Sequence, residues 1–132
     1  MIPLRDAIPA QSFPVMTVLL IALNVLAFFY ELSLGKALDV FIMQYGAVPL
    51  RFILAGQMDQ VSTVERFLPL FTSMFLHGGW LHLGGNMLYL WIFGDNVEDR
   101  LGRVRFLAFY LACGLVAALT QIYIHPTSKI PM

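Results

Sequence analysis

Three apolar runs, each about as long as a bilayer is thick, set the limits on this chain: residues 13–32, 72–93 and 106–124. About 20 apolar residues make one membrane span, so three spans and their connections take up nearly all of the 132 residues and leave room for a single domain, 1–132. The expected fold class is an all-α membrane protein with three transmembrane helices. At 59% hydrophobic and 12% charged, with a mean hydropathy of +0.77, the chain lies far from the roughly 45–50% apolar and 25% charged average of soluble domains. A soluble domain is excluded. Eight Lys and Arg balance eight Asp and Glu, so there is no basic stripe of the kind a phosphate backbone requires, and nucleic acid is not an expected partner. The lone Cys113 can form neither an intrachain disulfide nor a cysteine-based zinc site; inside an apolar run it is expected to be buried and inert.

The first run carries one polar side chain of consequence, Asn24, and Pro14 stands where a first helical turn tolerates a missing N–H. It continues into Tyr30-Glu31-Leu32 without a small-residue cleavage site, which reads as a retained anchor and not a secretory signal. In the third run only Thr120 and Gln121 are strongly polar, and His125-Pro126 should end the helix. The long connection 33–71 holds apolar clusters at Val40-Phe41-Ile42-Met43 and Phe52-Ile53-Leu54, as short amphipathic segments on a membrane surface would. The turn 94–105 is charged. Its Arg100, Arg103 and Arg105, with Arg5 ahead of the first run, favour the cytoplasmic side. This predicts an N-terminus inside, an external 33–71 loop and a cytoplasmic 94–105 turn.

The informative stretch is His77-Gly78-Gly79-Trp80-Leu81-His82-Leu83-Gly84-Gly85-Asn86. It places two imidazoles and an amide in or beside an apolar run, where polar groups are costly. On a helix His82 and Asn86, at i and i+4, share a face, while the four glycines remove bulk and let another helix or a peptide backbone approach. Three readings compete. The pair can make interhelical hydrogen bonds, as polar residues in spans commonly do. A metal site is the weakest reading: there is no His-Glu-x-x-His, and on an ideal helix His77 and His82 point about 140° apart. The third is a pair of donors that stabilises a developing oxyanion in a water-restricted pocket, which then needs a nucleophile and a base. No metal or cofactor is expected.

His77 and His82, four further residues to Asn86, then Gly94-Asp95-Asn96-Val97-Glu98-Asp99-Arg100-Leu101-Gly102 resemble the second span and following turn of rhomboid intramembrane serine proteases. The opening Ile2-Pro3-Leu4-Arg5-Asp6, the run Thr72-Ser73-Met74-Phe75-Leu76 and the tail Ile130-Pro131-Met132 resemble a bacterial-type member. The resemblance implies a six-helix core, of which this chain holds three helices, located in the bacterial cytoplasmic membrane. It also implies hydrolysis of peptide bonds in membrane-embedded protein substrates, with His82 and Asn86 as the oxyanion donors. The family's Ser, in Gly-x-Ser-Gly, and its His on a later span are not found here, so the chain reads as an N-terminal portion, inactive alone. A non-catalytic rhomboid-like protein that binds transmembrane helices is the alternative. The Trp-Arg pair that many members carry before the second span is replaced by Glu65-Arg66-Phe67-Leu68-Pro69-Leu70.

Structural roles are expected for His77, at the membrane boundary, and for Glu98 and Arg100, as capping or pairing groups within the turn or as solvated charges. Ser73 has His77 at i+4, but a serine at such a boundary is expected to bond local backbone instead of forming a dyad. Ala108 with Ala112, and Gly114 with Ala118, read as packing seams.

Overall fold

The computed structural model describes residues 12–132; the expectations that rest on Arg5 and on Ile2 to Asp6 fall outside them. The elements in order are α1 (Val15–Ser33), α2 (Leu38–Tyr45), α3 (Pro49–Ala55), α4 (Thr63–Thr72), α5 (Trp80–Leu101) and α6 (Arg103–Ile124), with single 3-10 turns at Gly35–Ala37 and Ser73–Phe75. Among the described residues there is no strand. Among the described residues two helices, α1 and α6, are long and apolar enough to cross a membrane. A third span exists if Gly35–Tyr45 and Pro49–Ala55, bent by 49° to each other, count as one.

Helix α5 is not in that set, although it has 22 residues, because His82, Asn86, Asp95, Asn96, Glu98 and Asp99 dilute its apolar content. It also differs from the expected second run at both ends. It begins at Trp80 and not near Thr72, since α4 already contains Pro69, whose missing N–H weakens the ladder, and closes in the 3-10 turn Ser73–Phe75. Gly79 then takes φ 157° and ψ 172°, a conformation open essentially to glycine. At the other end the helix runs on to Leu101 through most of the expected 94–105 turn. Only Gly102, at φ 79°, interrupts it.

The chain divides into two units. The first comprises described residues 12–30 and 77–110. Along α1, Thr17, Leu20, Asn24 and Phe28 are buried, while Leu19, Leu23, Leu26 and Phe29 are exposed. Spacings of three and four place the buried set on one stripe. Polar groups lie inside and large apolar ones outside, the arrangement a lipid solvent favours. The Asn24 Nδ2 donates to the Leu20 carbonyl at 2.7 Å and to the Tyr110 hydroxyl at 3.4 Å. Helix α5 approaches α1 closely at Gly94, where a Cβ would stand 2.9 Å from Thr17 Cγ2.

The second unit comprises Glu31–Leu76 and Leu111–Met132. Its core is Ala47, Leu70, Ala118 and Ile122, with Phe52, Ile53, Leu115 and Met132 packed against it. Helix α4 opens on a capping box: the Glu65 N–H donates to Ser62 Oγ, and the Glu65 carboxylate accepts from the Ser62 N–H. These hydrogen bonds hold the Glu65 carboxyl below the usual range, with Arg51 contributing after them. The segment after α6 returns to the core, where the Leu50 N–H donates to the Ser128 carbonyl and the Met132 N–H to that of Ala47. Of the two small pairs on α6, Ala118 is buried and Gly114 faces Met74, whose Sδ lies 2.5 Å from where a Cβ would be. Ala108 and Ala112 are exposed. Cys113 is exposed too, contrary to expectation, because the core takes only the opposite stripe of α6.

Candidate functional site

The polar cluster is built on the first two turns of α5, in the first unit. After Gly79 the helix is closed by the Leu83 N–H donating to the Gly79 carbonyl at 3.0 Å, and His82 and Asn86 follow one turn apart. Both are exposed. A Cβ added at Gly84 or Gly85, between them, would meet nothing within 4 Å. The pair stands exposed on one face of α5, with Gly85 about 80° to one side of it and Gly84 on the opposite side. Leu83, about 80° round the helix from the pair, is buried.

His77 lies ahead of the helix and is 4% exposed. Its ring meets that of His82 edge-on, with centroids 5.2 Å apart and planes at 61°. The expected 140° separation assumed one continuous helix, and Gly78-Gly79 instead turns the chain so that the two imidazoles touch. No group of three His, Cys, Asp or Glu with metal-holding geometry occurs among the described residues. Trp80 packs edge-on against Phe28 and Phe29 of α1, at 4.9 and 6.0 Å between centroids, which fixes the first turn of α5 against α1.

Glu98, at the far end of α5, does something that its local sequence does not announce. Expected to cap or pair within the turn, it is 3% exposed, and its carboxylate accepts from the Met16 N–H at 2.9 Å, the Thr17 N–H at 2.8 Å and Thr17 Oγ1 at 2.9 Å. Asp99 Oδ1 accepts from the N–H and hydroxyl of Ser12 at 3.1 and 2.7 Å. An α-helix begins with N–H groups that lack intrahelical partners and with a partial positive charge; the Glu98 carboxylate meets both needs for α1, and Asp99 holds Ser12 just ahead of that helix. Arg100 is exposed in the last turn of α5, where a cation suits the carbonyl end of a helix. Ser73 Oγ donates to the Leu70 carbonyl at 3.2 Å, a bond to local backbone.

Chemically, the open face of α5 can offer an imidazole N–H and an amide N–H to one acceptor. Sequence reasoning missed the contact of His77 with His82 and the docking of Glu98 on α1. The glycine pair was the only signal for the first, and partners 81 and 82 residues away left none for the second.

A family model described as the Rhomboid domain matches residues 64–132. Among curated proteins, the chain is 33% identical over 114 residues to the Rhomboid protease GluP of Bacillus subtilis, covering 86% of this chain and 21% of that protein. It is 30% identical over 109 residues to the Rhomboid protease AarA of Providencia stuartii, covering 82% and 36%. A third relative is the mitochondrial Presenilin-associated rhomboid-like protein A of Danio rerio, 32% identical over 78 residues, with 59% and 20% covered. The chain thus spans about a fifth to a third of the length of these proteins. No solved structure matches.

Proposed function

The chain belongs to the rhomboid family, an integral membrane family, and from that premise we propose that it contributes the oxyanion-stabilising part of an intramembrane serine endopeptidase acting on membrane-embedded protein substrates. The observation that carries the reading is the pair His82 and Asn86, exposed one turn apart on one face of α5. In the reaction a serine oxygen adds to the scissile carbonyl carbon while its proton passes to a histidine. The carbonyl oxygen becomes an alkoxide that accepts from the N–H groups of His82 and Asn86, and the same proton later goes to the leaving amine. The 132 residues contain no Gly-x-Ser-Gly, so the nucleophile and base belong to residues outside them, and these residues alone are expected to be inactive. His77 acts as a positioning residue through its ring contact with His82.

In the full-length protein bearing the nucleophile, Asn86→Ala and His82→Ala should each lower turnover about 100- to 1,000-fold, the typical cost of losing one oxyanion donor, with an unchanged melting temperature. Variants that melt earlier but cleave a model transmembrane substrate at the parent rate would overturn the assignment. The missing Gly-x-Ser-Gly favours one second reading, a non-catalytic rhomboid-like protein that binds transmembrane helices. Absence of fluorophosphonate labelling in the full-length protein would select it.

The proposed orientation puts the N-terminus inside a bacterial cytoplasmic membrane, on the charge bias of Arg100, Arg103 and Arg105. Cysteines introduced at Lys36 or Asp59 should then react from outside, and one at Arg103 only after permeabilisation; the opposite pattern refutes this topology.

A further inference from the structure

The second unit contains a cavity of about 500 Å³ that the peptidase reading does not use. Its floor is apolar and buried, formed by Ala47, Val48, Pro69 and Leu70, and Leu54 and Met58 extend it to the surface. Three cations surround the opening: Arg51 and Lys129, both exposed, and Arg66, half-buried. The single carboxylate among the lining residues is that of Glu65, which already accepts from the Ser62 N–H and hydroxyl. Such a site suits a ligand with an apolar body and an anionic head.

The two guanidiniums are held in place. Arg51 Nη1 donates to the Met43 carbonyl at 2.7 Å at the end of α2. Arg66 Nε donates to the Phe52 carbonyl at 3.2 Å, with its guanidinium 4.5 Å from the Phe52 ring centroid and 5.4 Å from that of Phe67. A guanidinium has five N–H donors in a fixed fork, so these contacts orient the groups and leave donors over for an anion. Lys129 adds a mobile point charge on the segment that returns after α6. A phosphate diester is the bilayer group that meets such charges, and exposed Val64, Phe67, Leu68 and Phe71 on α4 supply an apolar surface beside the site on which acyl chains can lie.

We propose that this cavity binds one anionic phospholipid, with an acyl chain against Ala47, Val48 and Leu70 and the phosphate among Arg51, Arg66 and Lys129. The site is independent of His82 and Asn86.

The test is native mass spectrometry of the purified full chain in a neutral detergent, titrated separately with dioleoyl phosphatidylglycerol, dioleoyl phosphatidylcholine and oleate. One phosphatidylglycerol per chain should be retained, with the other two at least tenfold weaker. Lys129→Gln should raise the phosphatidylglycerol dissociation constant about fivefold, the worth of one cation beside an anionic lipid, and Lys129→Arg should restore it. Ala55→Trp, which fills the lining without altering charge, should abolish retention while the melting temperature stays at the parent value. Equal retention of phosphatidylcholine would reduce the site to greasy surface, and equal retention of oleate would make it a fatty-acid site. Either result overturns the proposal, as does indifference to both Lys129→Gln and Ala55→Trp in folded protein.

Discussion

The two ends of α5 treat polar side chains in opposite ways. At the start, His82 and Asn86 stand exposed beside glycines with open space around them. At the end, Glu98 is buried and its two oxygens accept three hydrogen bonds from the start of α1. One helix thus carries a buried group that ties it to its neighbour and an exposed pair, the one on which the oxyanion proposal rests. A buried polar group without a partner is expensive; Glu98 avoids that cost through its bonds to Met16 and Thr17, and the exposure of His82 and Asn86 is what the proposed oxyanion role requires.

This contrast is broken most directly by exchanging the readouts. The 100- to 1,000-fold loss proposed for Asn86→Ala is a rate effect. Glu98→Gln should behave conversely, lowering stability by roughly 3 kcal/mol as the buried N–H donors of Met16 and Thr17 lose charged acceptors, with turnover preserved in the folded fraction. Thermal melting and single-turnover cleavage measured together separate the two, and a Glu98 variant that melts normally but cleaves slowly would erase the distinction.

Glycine substitutions sharpen it at smaller cost. Gly94→Ala puts a Cβ 2.9 Å from Thr17 Cγ2 and 3.2 Å from Leu90 Cδ1, which should cost about 1–3 kcal/mol by overpacking. Gly84→Ala, on the side of α5 opposite His82 and Asn86, meets nothing and should raise stability by up to about 1 kcal/mol through helix propensity with turnover unchanged. Unchanged stability in Gly94→Ala would mean that the close approach of α1 and α5 is dispensable.

The smallest effect belongs to Glu65, the exposed counterpart of Glu98. Its carboxyl is held low by the Ser62 hydrogen bonds, so its contribution to stability is complete above the unfolded-state pKa of a glutamate and fades as pH falls through the lowered folded-state value. A melting curve below about pH 5 should therefore decline less steeply in Ser62→Ala than in the parent, and identical slopes would remove the capping box from the account.

What could be read in the residues follows the range of the interactions. The lengths of α1 and α6 and the i, i+4 relation of His82 to Asn86 are local properties, legible because 3.6 residues make a turn. The start of α5 was not, since Met74, Phe75 and Leu76 prolong an apolar pattern while the backbone has already left the helix; apolar content reports burial or lipid, and the break depends on two glycines. The burial of Thr17 and the docking of Glu98 depend on a partner 81 residues away, which no window along the chain contains. Cys113 failed for the same reason, because which stripe of α6 meets the core is decided by Leu70 and Ala47, far off in sequence.

Gly102 is the only residue between two helices of 22 residues each. Its N–H donates to the Glu98 carbonyl at 2.7 Å and its carbonyl accepts from the Phe106 N–H at 2.9 Å, so both of its backbone groups are consumed by the helices on either side. Such a joint has no slack. One inserted residue would turn the helix after it by about 100° and advance it by about 1.5 Å, carrying the buried Phe106 and the Tyr110 hydroxyl, which meets Asn24 of α1, away from their places in the first unit. Length variation between related chains should therefore be absent at residue 102 and tolerated at 56–61, where the backbone is in turns: within the first unit the joint acts as a phase lock between α5 and the start of α6.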